Sequence, residues 1–236
     1  IITDDSEFIV ECKATDDPGQ VGPVDLVLLT VKTYHNQEAV PAMLPMIGSN
    51  TAVLCLQNGI DSFEAAARFH GGEKVLPGAA YIDGSLEGPG VVRQIGNDVE
   101  IVFGEPDGAE SPRCEAISAT FRKAGIPANL SNNIQRTLWT KFLYIATTAG
   151  VMSLSRQTMD HLLPLPEWRR VIMGCMEEIN TVGLASGVDL DQNIVQDTIE
   201  YIEGALEEMH ASMHADILAG RPLELEALNG AVVRAG

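Results

Sequence analysis

The chain has 236 residues, 45% of them hydrophobic, which is enough for one large domain or two small domains with cores of their own. Its formal net charge of −18 disfavours partners with a phosphate backbone and anionic membrane surfaces, so we expect neither nucleic-acid nor membrane binding. No apolar run reaches the ~18 residues that a membrane span needs, and no signal peptide opens the chain, so we expect a cytoplasmic protein.

The first half of the chain alternates short apolar runs with amphipathic segments. The runs 24–31 and 51–56, and a segment that starts at Lys74, are typical of buried parallel strands. Between them, the segment 62–70 is a predicted helix, and the segment 37–46 is a predicted helix that Pro41 and Pro45 break. Because strands and helices alternate, this pattern predicts a parallel sheet of the doubly wound type.

The pattern changes between residues 81 and 103, where glycines punctuate short alternating segments. Such segments predict antiparallel strands or hairpins at an edge of the sheet. An amphipathic helix is then predicted from Ser111 to Ala124, and Gly125 would end it.

From about Asn132 onward every periodic segment is helical. The pattern predicts helices at 167–185 and 192–214, with Gly187 and Gly220 as their stops. We therefore predict an α/β protein with a first domain at residues 1–131 and an all-helical domain at residues 132–236.

Three segments carry the strongest functional signal. They are Leu56-Gln57-Asn58-Gly59, Trp139-Thr140-Lys141, and a stretch that holds Ser212, Asp216, Arg221, Glu224 and Asn229-Gly230. Together they resemble the ketopantoate reductase family, the 2-dehydropantoate 2-reductases of the ApbA/PanE type. The resemblance implies a Rossmann-type domain followed by a helical domain similar to the C-terminal domain of 6-phosphogluconate dehydrogenases.

Lys141 lies among apolar and aromatic neighbours on the helix that opens the second domain. On spacing alone it would face either solvent or an interdomain cleft. The resemblance implies that Lys141 protonates the alkoxide formed when a hydride reaches a ketone carbon. It also implies that Glu224 accepts a hydrogen bond from a substrate hydroxyl and holds Lys141 charged. Glu226 is two residues further on, which on a helix is a different face, so we interpret it as structural.

Asn58 and Gly59 directly follow the second predicted strand. The dipeptide is by itself a common turn, but ligands of doubly wound sheets bind at the carboxyl ends of parallel strands. The resemblance places Asn58 beside both the nicotinamide and the substrate. It places Gly59, and Lys32 at the end of the preceding strand, beside the cofactor.

Several polar residues near the end of the last long predicted helix have more than one interpretation. The resemblance makes Ser212 a ligand of the substrate carboxylate, whereas Asp216 is better explained as a helix cap or a partner of Arg221. His210 and His214 have the spacing of a metal-binding pair, but no third ligand recurs nearby, and the four cysteines are widely spaced. We therefore predict no metal site.

Two features depart from the family pattern. The Gly-x-Gly-x-x-Gly unit that receives a dinucleotide pyrophosphate is not among these residues, so we expect a fragment with an incomplete Rossmann-type domain that binds a dinucleotide weakly. Ile145 and Ala149 stand one and two turns after Lys141, where ketopantoate-reducing members commonly carry asparagines. Isoleucine cannot form the hydrogen bond to the substrate that asparagine can.

The sequence therefore predicts a homodimeric, NADPH-dependent reductase that converts 2-dehydropantoate or a related 2-oxo acid to the 2-hydroxy acid, in pantothenate and coenzyme A biosynthesis. The substrate would lie in a cleft between Asn58 on one side and Lys141, Ser212 and Glu224 on the other. Two alternatives stay open. One is a reductase of the same family for a different, more apolar 2-oxo acid, which Ile145 favours. The other is a non-catalytic interaction module, if the native chain lacks the glycine-rich unit.

Overall fold

The computed structural model describes residues 1–206 and 209–236, with residues 97 and 98 described by their backbone alone. The chain divides into two compact units. The first unit consists of Ile1–Val31, His35–Gln57 and Phe63–Ile134. The second unit consists of Lys32–Tyr34, Asn58–Ser62 and Gln135–Gly236.

The first unit is built on one mixed sheet. Its strands, in their order across the sheet, are β1 (Val24–Leu29), β2 (Ile47–Cys55), β3 (Val75–Gly88), β4 (Val91–Phe103) and β5 (Ala128–Leu130). Strands β1, β2 and β3 are parallel, β4 is antiparallel to β3, and β5 is parallel to β4. The predicted parallel strands and the α/β class are thus confirmed.

Helices cover both faces of this sheet, and β2 accordingly ends in the continuous apolar run of a buried parallel strand. The helices are α1 (Asn36–Ala42), α2 (Ser62–His70) and α3 (Pro112–Lys123). On one face Leu54 packs in a cluster with Phe121 of α3. On the other face Val53 packs in a cluster with Val40 of α1 and Ala66 of α2.

Local sequence signals set the ends of α3. The side chain of Ser111 accepts a hydrogen bond from the backbone N–H of Cys114, which caps the helix at its start. Gly125 follows the helix with a φ of +79°, a conformation that favours glycine. The helix predicted from Ser111 to Ala124 is therefore confirmed.

One prediction in the first unit needs correction. The segments between residues 81 and 103 form one long hairpin of β3 and β4, and β4 is not an edge strand, because β5 pairs with it. The break predicted in the segment 37–46 is confirmed near Pro45 but not at Pro41, which lies inside α1: this helix ends at Ala42 and a short 3-10 helix, Leu44–Met46, follows. Pro45 explains the interruption, since a proline cannot donate the backbone hydrogen bond that a continuing helix needs.

The second unit is helical throughout its described secondary structure after residue 134. Its helices are α4 (Ile134–Ser155), α5 (Met159–Leu162), α6 (Pro166–Ala185), α7 (Ile194–Gly204), α8 (Ser212–Leu218) and α9 (Asn229–Ala235). Aliphatic and methionine side chains such as Leu143, Met152, Ile172 and Met176 form its core. Among residues 1–206 and 209–236, none of the helices combines the length and the apolar character that crossing a membrane requires.

The helix predicted at 192–214 is wrong as a single element. It is two helices, α7 and α8, and residues 207 and 208 of that prediction lie outside the described residues. Glycine is a weak helix former, and α7 ends at Gly204. Ala211 then has extended backbone, so Ser212 begins a new helix. The predicted stop at Gly220 is confirmed by its φ of +66°.

Candidate functional site

Glu224 is a buried carboxylate in the turn between α8 and α9. Only 6% of the residue is exposed. Its Oε2 accepts a hydrogen bond from Lys32 Nζ at 3.0 Å. Its Oε1 accepts two, from the backbone N–H of Thr33 at 2.9 Å and from Thr33 Oγ1 at 3.1 Å. These donors offset the free energy that burying a charged carboxylate costs.

Asp216, on α8, is a second buried carboxylate bonded to the same lysine. Lys32 Nζ donates to its Oδ2 at 3.1 Å, and Arg221 Nε donates to its Oδ1 at 2.7 Å. Burial works to raise the pKa of Asp216, but hydrogen bonds from Arg221 and Lys32 outweigh burial and leave that pKa below its ordinary value. The predicted pairing of Asp216 with Arg221 is confirmed.

Lys32 is held as a cation by these two acids. Burial alone would lower the pKa of its ammonium group, but the hydrogen bonds and charges of Glu224 and Asp216 raise that pKa above its ordinary value. Lys32 is therefore a fixed positive charge at neutral pH.

The pKa of Lys141 is shifted in the opposite direction to that of Lys32. It lies on α4, and its Nζ donates to Oδ1 of Asn58 at 3.0 Å. An amide oxygen is a neutral acceptor, so it offers much less to an ammonium ion than a carboxylate does. Burial accordingly lowers the pKa of Lys141 from 10.5 to about 8. Its proton can thus be transferred near neutral pH.

The turn that carries Asn58 packs against the segment that carries Glu224. Gly59 has a φ of +113°, and a Cβ at this position would lie 3.0 Å from the carbonyl oxygen of Ala227. Further along, Asn229 Nδ2 donates to the carbonyl of Ala146 on α4 at 3.1 Å. Asn58 and Gly59, the helix that carries Lys141, and the segment that carries Glu224 and Asn229 are therefore neighbours in the second unit.

Ser212 and Glu226 are both exposed. Ser212 is exposed at the first residue of α8, four residues before Asp216. Glu226 is exposed and pairs with Arg234 at 3.2 Å, whereas Glu224 points inward, so the two acids face opposite ways as predicted. They lie outside α8 and α9, however, in the turn that joins them.

Glu224 has bonded partners that the sequence did not assign to it. Among the described residues, Lys32 is bonded to Glu224 at 3.0 Å. The expectation that Glu224 holds Lys141 charged stays a prediction. Thr33, which supplies two of the donors to Glu224, was not predicted, because a threonine after a strand carries no distinctive pattern.

A metal site would need several histidines, cysteines or acids close together. Across residues 1–206 and 209–236, no three of these side chains are grouped so that they could hold a metal ion. His214 is buried, and His210 is exposed.

Comparison with known proteins identifies the family of this chain. Residues 1–108 match the family described as ketopantoate reductase PanE/ApbA, and residues 133–236 match its C-terminal family. A 2-dehydropantoate 2-reductase of Mycobacterium tuberculosis is 31% identical over 218 residues, which are 90% of this chain and 70% of that protein.

Solved structures agree as well. The 2-dehydropantoate 2-reductase of Geobacter metallireducens GS-15 superposes with a TM-score of 0.91 at 28% identity, over 100% of this chain and 80% of that one. A dimeric ketopantoate reductase of Staphylococcus aureus shares the fold with a TM-score of 0.79 at 24% identity, over 91% of this chain and 70% of that one. The chain therefore belongs to the ketopantoate reductase family, a family of oxidoreductases.

Proposed function

We propose that this protein reduces 2-dehydropantoate, or a closely related 2-oxo acid, to the corresponding 2-hydroxy acid, with NADPH as the reductant. The observation that carries the proposal is the environment of Lys141, whose partly buried ammonium group has a pKa lowered to about 8 and donates to Asn58. A general acid works best when its pKa lies near the operating pH. With 2-dehydropantoate as the substrate, the reaction belongs to pantothenate and coenzyme A biosynthesis.

The residues present fit the nicotinamide end of the cofactor. Asn58 Oδ1 is engaged by Lys141, but no hydrogen bond is recorded for Asn58 Nδ2 among the described residues, so this N–H can donate to a carboxamide or to a substrate oxygen. Asn58, Gly59 and Lys32 would hold this end of the cofactor, which supplies a hydride when bound. No Gly-x-Gly-x-x-Gly run occurs in the 236 residues, so the fit extends to this end alone.

The chain's own residues then divide the remaining work. Lys141 donates its proton to the substrate oxygen as negative charge develops on it, which both stabilises and neutralises the alkoxide. Glu224 accepts a hydrogen bond from a substrate hydroxyl, and Ser212 donates one to the substrate carboxylate. Lys32 stays bonded to both Glu224 and Asp216 throughout the reaction.

Oxidation of NADPH by the purified protein tests this proposal. With 2-dehydropantoate present, NADPH absorbance should fall and the 2-hydroxy acid should accumulate in equal amount. NADH serves as the comparison for the cofactor preference. A protein that leaves both cofactors unchanged with every 2-oxo acid tried, at cofactor concentrations high enough to occupy a weak site, would overturn the proposal.

A more apolar 2-oxo acid is the second candidate substrate, and Ile145 favours it. Ile145 is partly buried on α4, one turn beyond Lys141 and on the same side of the helix, and Ala149 is buried one turn further on. An apolar site discriminates weakly among substrates, whereas a site built to bond a hydroxyl rejects analogues that lack it. The value of kcat/KM across a panel of 2-oxo acids should therefore vary modestly.

The substrate preference of an Ile145→Asn variant can be compared with that of the wild type. It should raise the preference for 2-dehydropantoate over an aliphatic 2-oxo acid of similar size. If the wild-type protein already prefers 2-dehydropantoate by several orders of magnitude, Ile145 does not determine specificity and the first candidate stands.

A further inference from the structure

We infer that Thr33 is a positioning residue for Glu224: its hydroxyl and backbone N–H fix the rotation of the carboxylate so that Oε2 is the oxygen offered to the substrate hydroxyl. The inference rests on the proposed function, in which Glu224 accepts that hydrogen bond. It adds a residue that neither the sequence motifs nor the proton-transfer chemistry identifies.

The acceptor capacity of Glu224 is nearly filled by two consecutive residues. An ionised carboxylate offers about four lone-pair positions, two on each oxygen. Both positions on Oε1 are taken by Thr33, through its N–H at 2.9 Å and its Oγ1 at 3.1 Å. One position on Oε2 is taken by Lys32 at 3.0 Å. The position that remains for a substrate hydroxyl is therefore on Oε2, next to the Lys32 ammonium group.

Lys32 cannot set this orientation alone. A lysine ammonium acts as a compact point charge on a flexible stem, without the geometric preference of a guanidinium. Here it is also shared between Glu224 at 3.0 Å and Asp216 at 3.1 Å. The last torsion of a glutamate side chain is broad, so a carboxylate held only by Lys32 could rotate.

The two bonds from Thr33 remove that freedom. They converge on one oxygen from a backbone atom and a side-chain atom of the same residue, which lies at the start of the short 3-10 helix Thr33–His35. Because Glu224 is buried, water has little access to replace a missing donor. Loss of the hydroxyl would leave Oε1 short of one donor and would let Oε1 compete for the substrate hydroxyl.

The test compares two substitutions at Thr33 with one at a threonine outside the site. Thr33→Val removes the hydroxyl but keeps the shape and the backbone N–H, and Thr33→Ser restores the hydroxyl. Thr181→Val is the control, because the hydroxyl of Thr181 is exposed and bonds only a carbonyl of its own helix, that of Glu177. We expect kcat/KM to fall about tenfold or more in Thr33→Val, as for the loss of a hydrogen bond to a charged group. Thr33→Ser and Thr181→Val should stay within about twofold of the wild type.

A double-mutant cycle with Glu224 distinguishes a positioning role of Thr33 from a general effect of the substitution on the structure. In a Glu224→Gln background the charge that Thr33 orients is absent, so adding Thr33→Val should change kcat/KM by less than about twofold. Equal losses in both backgrounds would overturn the inference. So would wild-type kcat/KM in Thr33→Val, or an equal loss in Thr33→Ser and Thr33→Val.

Failure of the proposed function has a different signature. In that case the wild-type protein reduces no 2-oxo acid, and the same four proteins of the double-mutant cycle are compared by thermal unfolding. Non-additive shifts in Tm would show that Thr33 and Glu224 interact in the folded protein. Additive shifts would overturn the inference that Thr33 positions Glu224.

Discussion

Two lysines in the second unit differ in pKa because two carboxylates raise the pKa of Lys32, whereas burial lowers the pKa of Lys141. Lys32 donates to the carboxylates of Asp216 and Glu224, which raise its pKa, and Lys141 donates to the neutral amide of Asn58 while burial lowers its pKa to about 8. Environments that push two pKa values apart indicate which group exchanges protons and which stays charged. At the scale of single residues, Lys141 is thus suited to proton transfer and Lys32 to holding the acids in place.

Removal of the Lys141 ammonium group should therefore reduce catalysis strongly. We expect Lys141→Ala to lower kcat by ~10²-fold or more, the usual range for the loss of a general acid. Lys123→Ala is the control, because Lys123 is exposed at the end of α3. In the wild type, kcat/KM should fall as pH rises above about 8, where Lys141 loses its proton. Small, equal effects of the two substitutions would mean that Lys141 is not the proton donor.

Because burial disfavours the charged form of Lys141, this residue should also lower the free energy of unfolding at neutral pH. Its pKa in the folded state lies below that of the unfolded chain, so between pH 8 and 10.5 the unfolded state binds more protons and stability rises with pH. Lys141→Met should remove that rise and increase the free energy of unfolding at pH 7 by up to roughly 3 kcal/mol. Denaturant unfolding across this pH range is the measurement, with Lys123→Met as the control. A less stable Lys141→Met protein would contradict the expectation.

At the scale of elements, the site depends on a turn and a connecting segment more than on helices. Gly59 lets the turn after β2 approach the carbonyl of Ala227, and Glu224 lies in the segment between α8 and α9. Regular elements supply Lys141 from α4 and Asp216 from α8. The geometry of the irregular segments therefore decides whether these side chains meet.

A methyl group at Gly59 should disturb this approach. The φ of +113° is strained for any other residue, and a Cβ would lie 3.0 Å from the carbonyl oxygen of Ala227. We expect Gly59→Ala to destabilise the protein by about 1–2 kcal/mol and to lower kcat/KM. Gly174→Ala is the matched control, because Gly174 lies within α6 with open space around its Cα, and alanine there should stabilise by about 0.5–1 kcal/mol. Equal Tm values for the two variants would refute this account of Gly59.

At the scale of the whole molecule, the second unit is not contiguous in sequence. It combines Lys32–Tyr34 and Asn58–Ser62 with Gln135–Gly236. The buried acids of its C-terminal part are bonded to Lys32 and Thr33, more than half the chain away. The domain boundary at residues 131 and 132 stays a prediction, and a chain divided there would separate these acids from their donors.

We also propose that two copies of the chain associate. The second unit exposes large apolar side chains, among them Leu154 at 77%, Leu218 at 61% and Val233 at 80%, and association would remove part of such surface from water. Light scattering coupled to size exclusion should give about twice the 25.3 kDa of one chain. Because each copy carries a net charge of −18, the dimeric fraction should increase with ionic strength. A monomeric mass at every salt concentration would exclude the homodimer.

The sequence by itself determined the local structure and the family. Its apolar runs predicted β1 and β2, its amphipathic pattern and Gly125 predicted α3 and its end, and its motif segments indicated the ketopantoate reductase family. These features depend on neighbouring residues, and periodicity and capping are local effects.

Only the tertiary structure decided which groups meet. It bonded Glu224 to Lys32 and Thr33, it divided the long helix predicted at 192–214, and it paired β5 with β4. Lys32 and Glu224 are 192 residues apart in sequence, and no local pattern encodes such a pairing. The assignment of Glu224 depends on how remote segments pack, because packing determines which donor reaches a buried carboxylate.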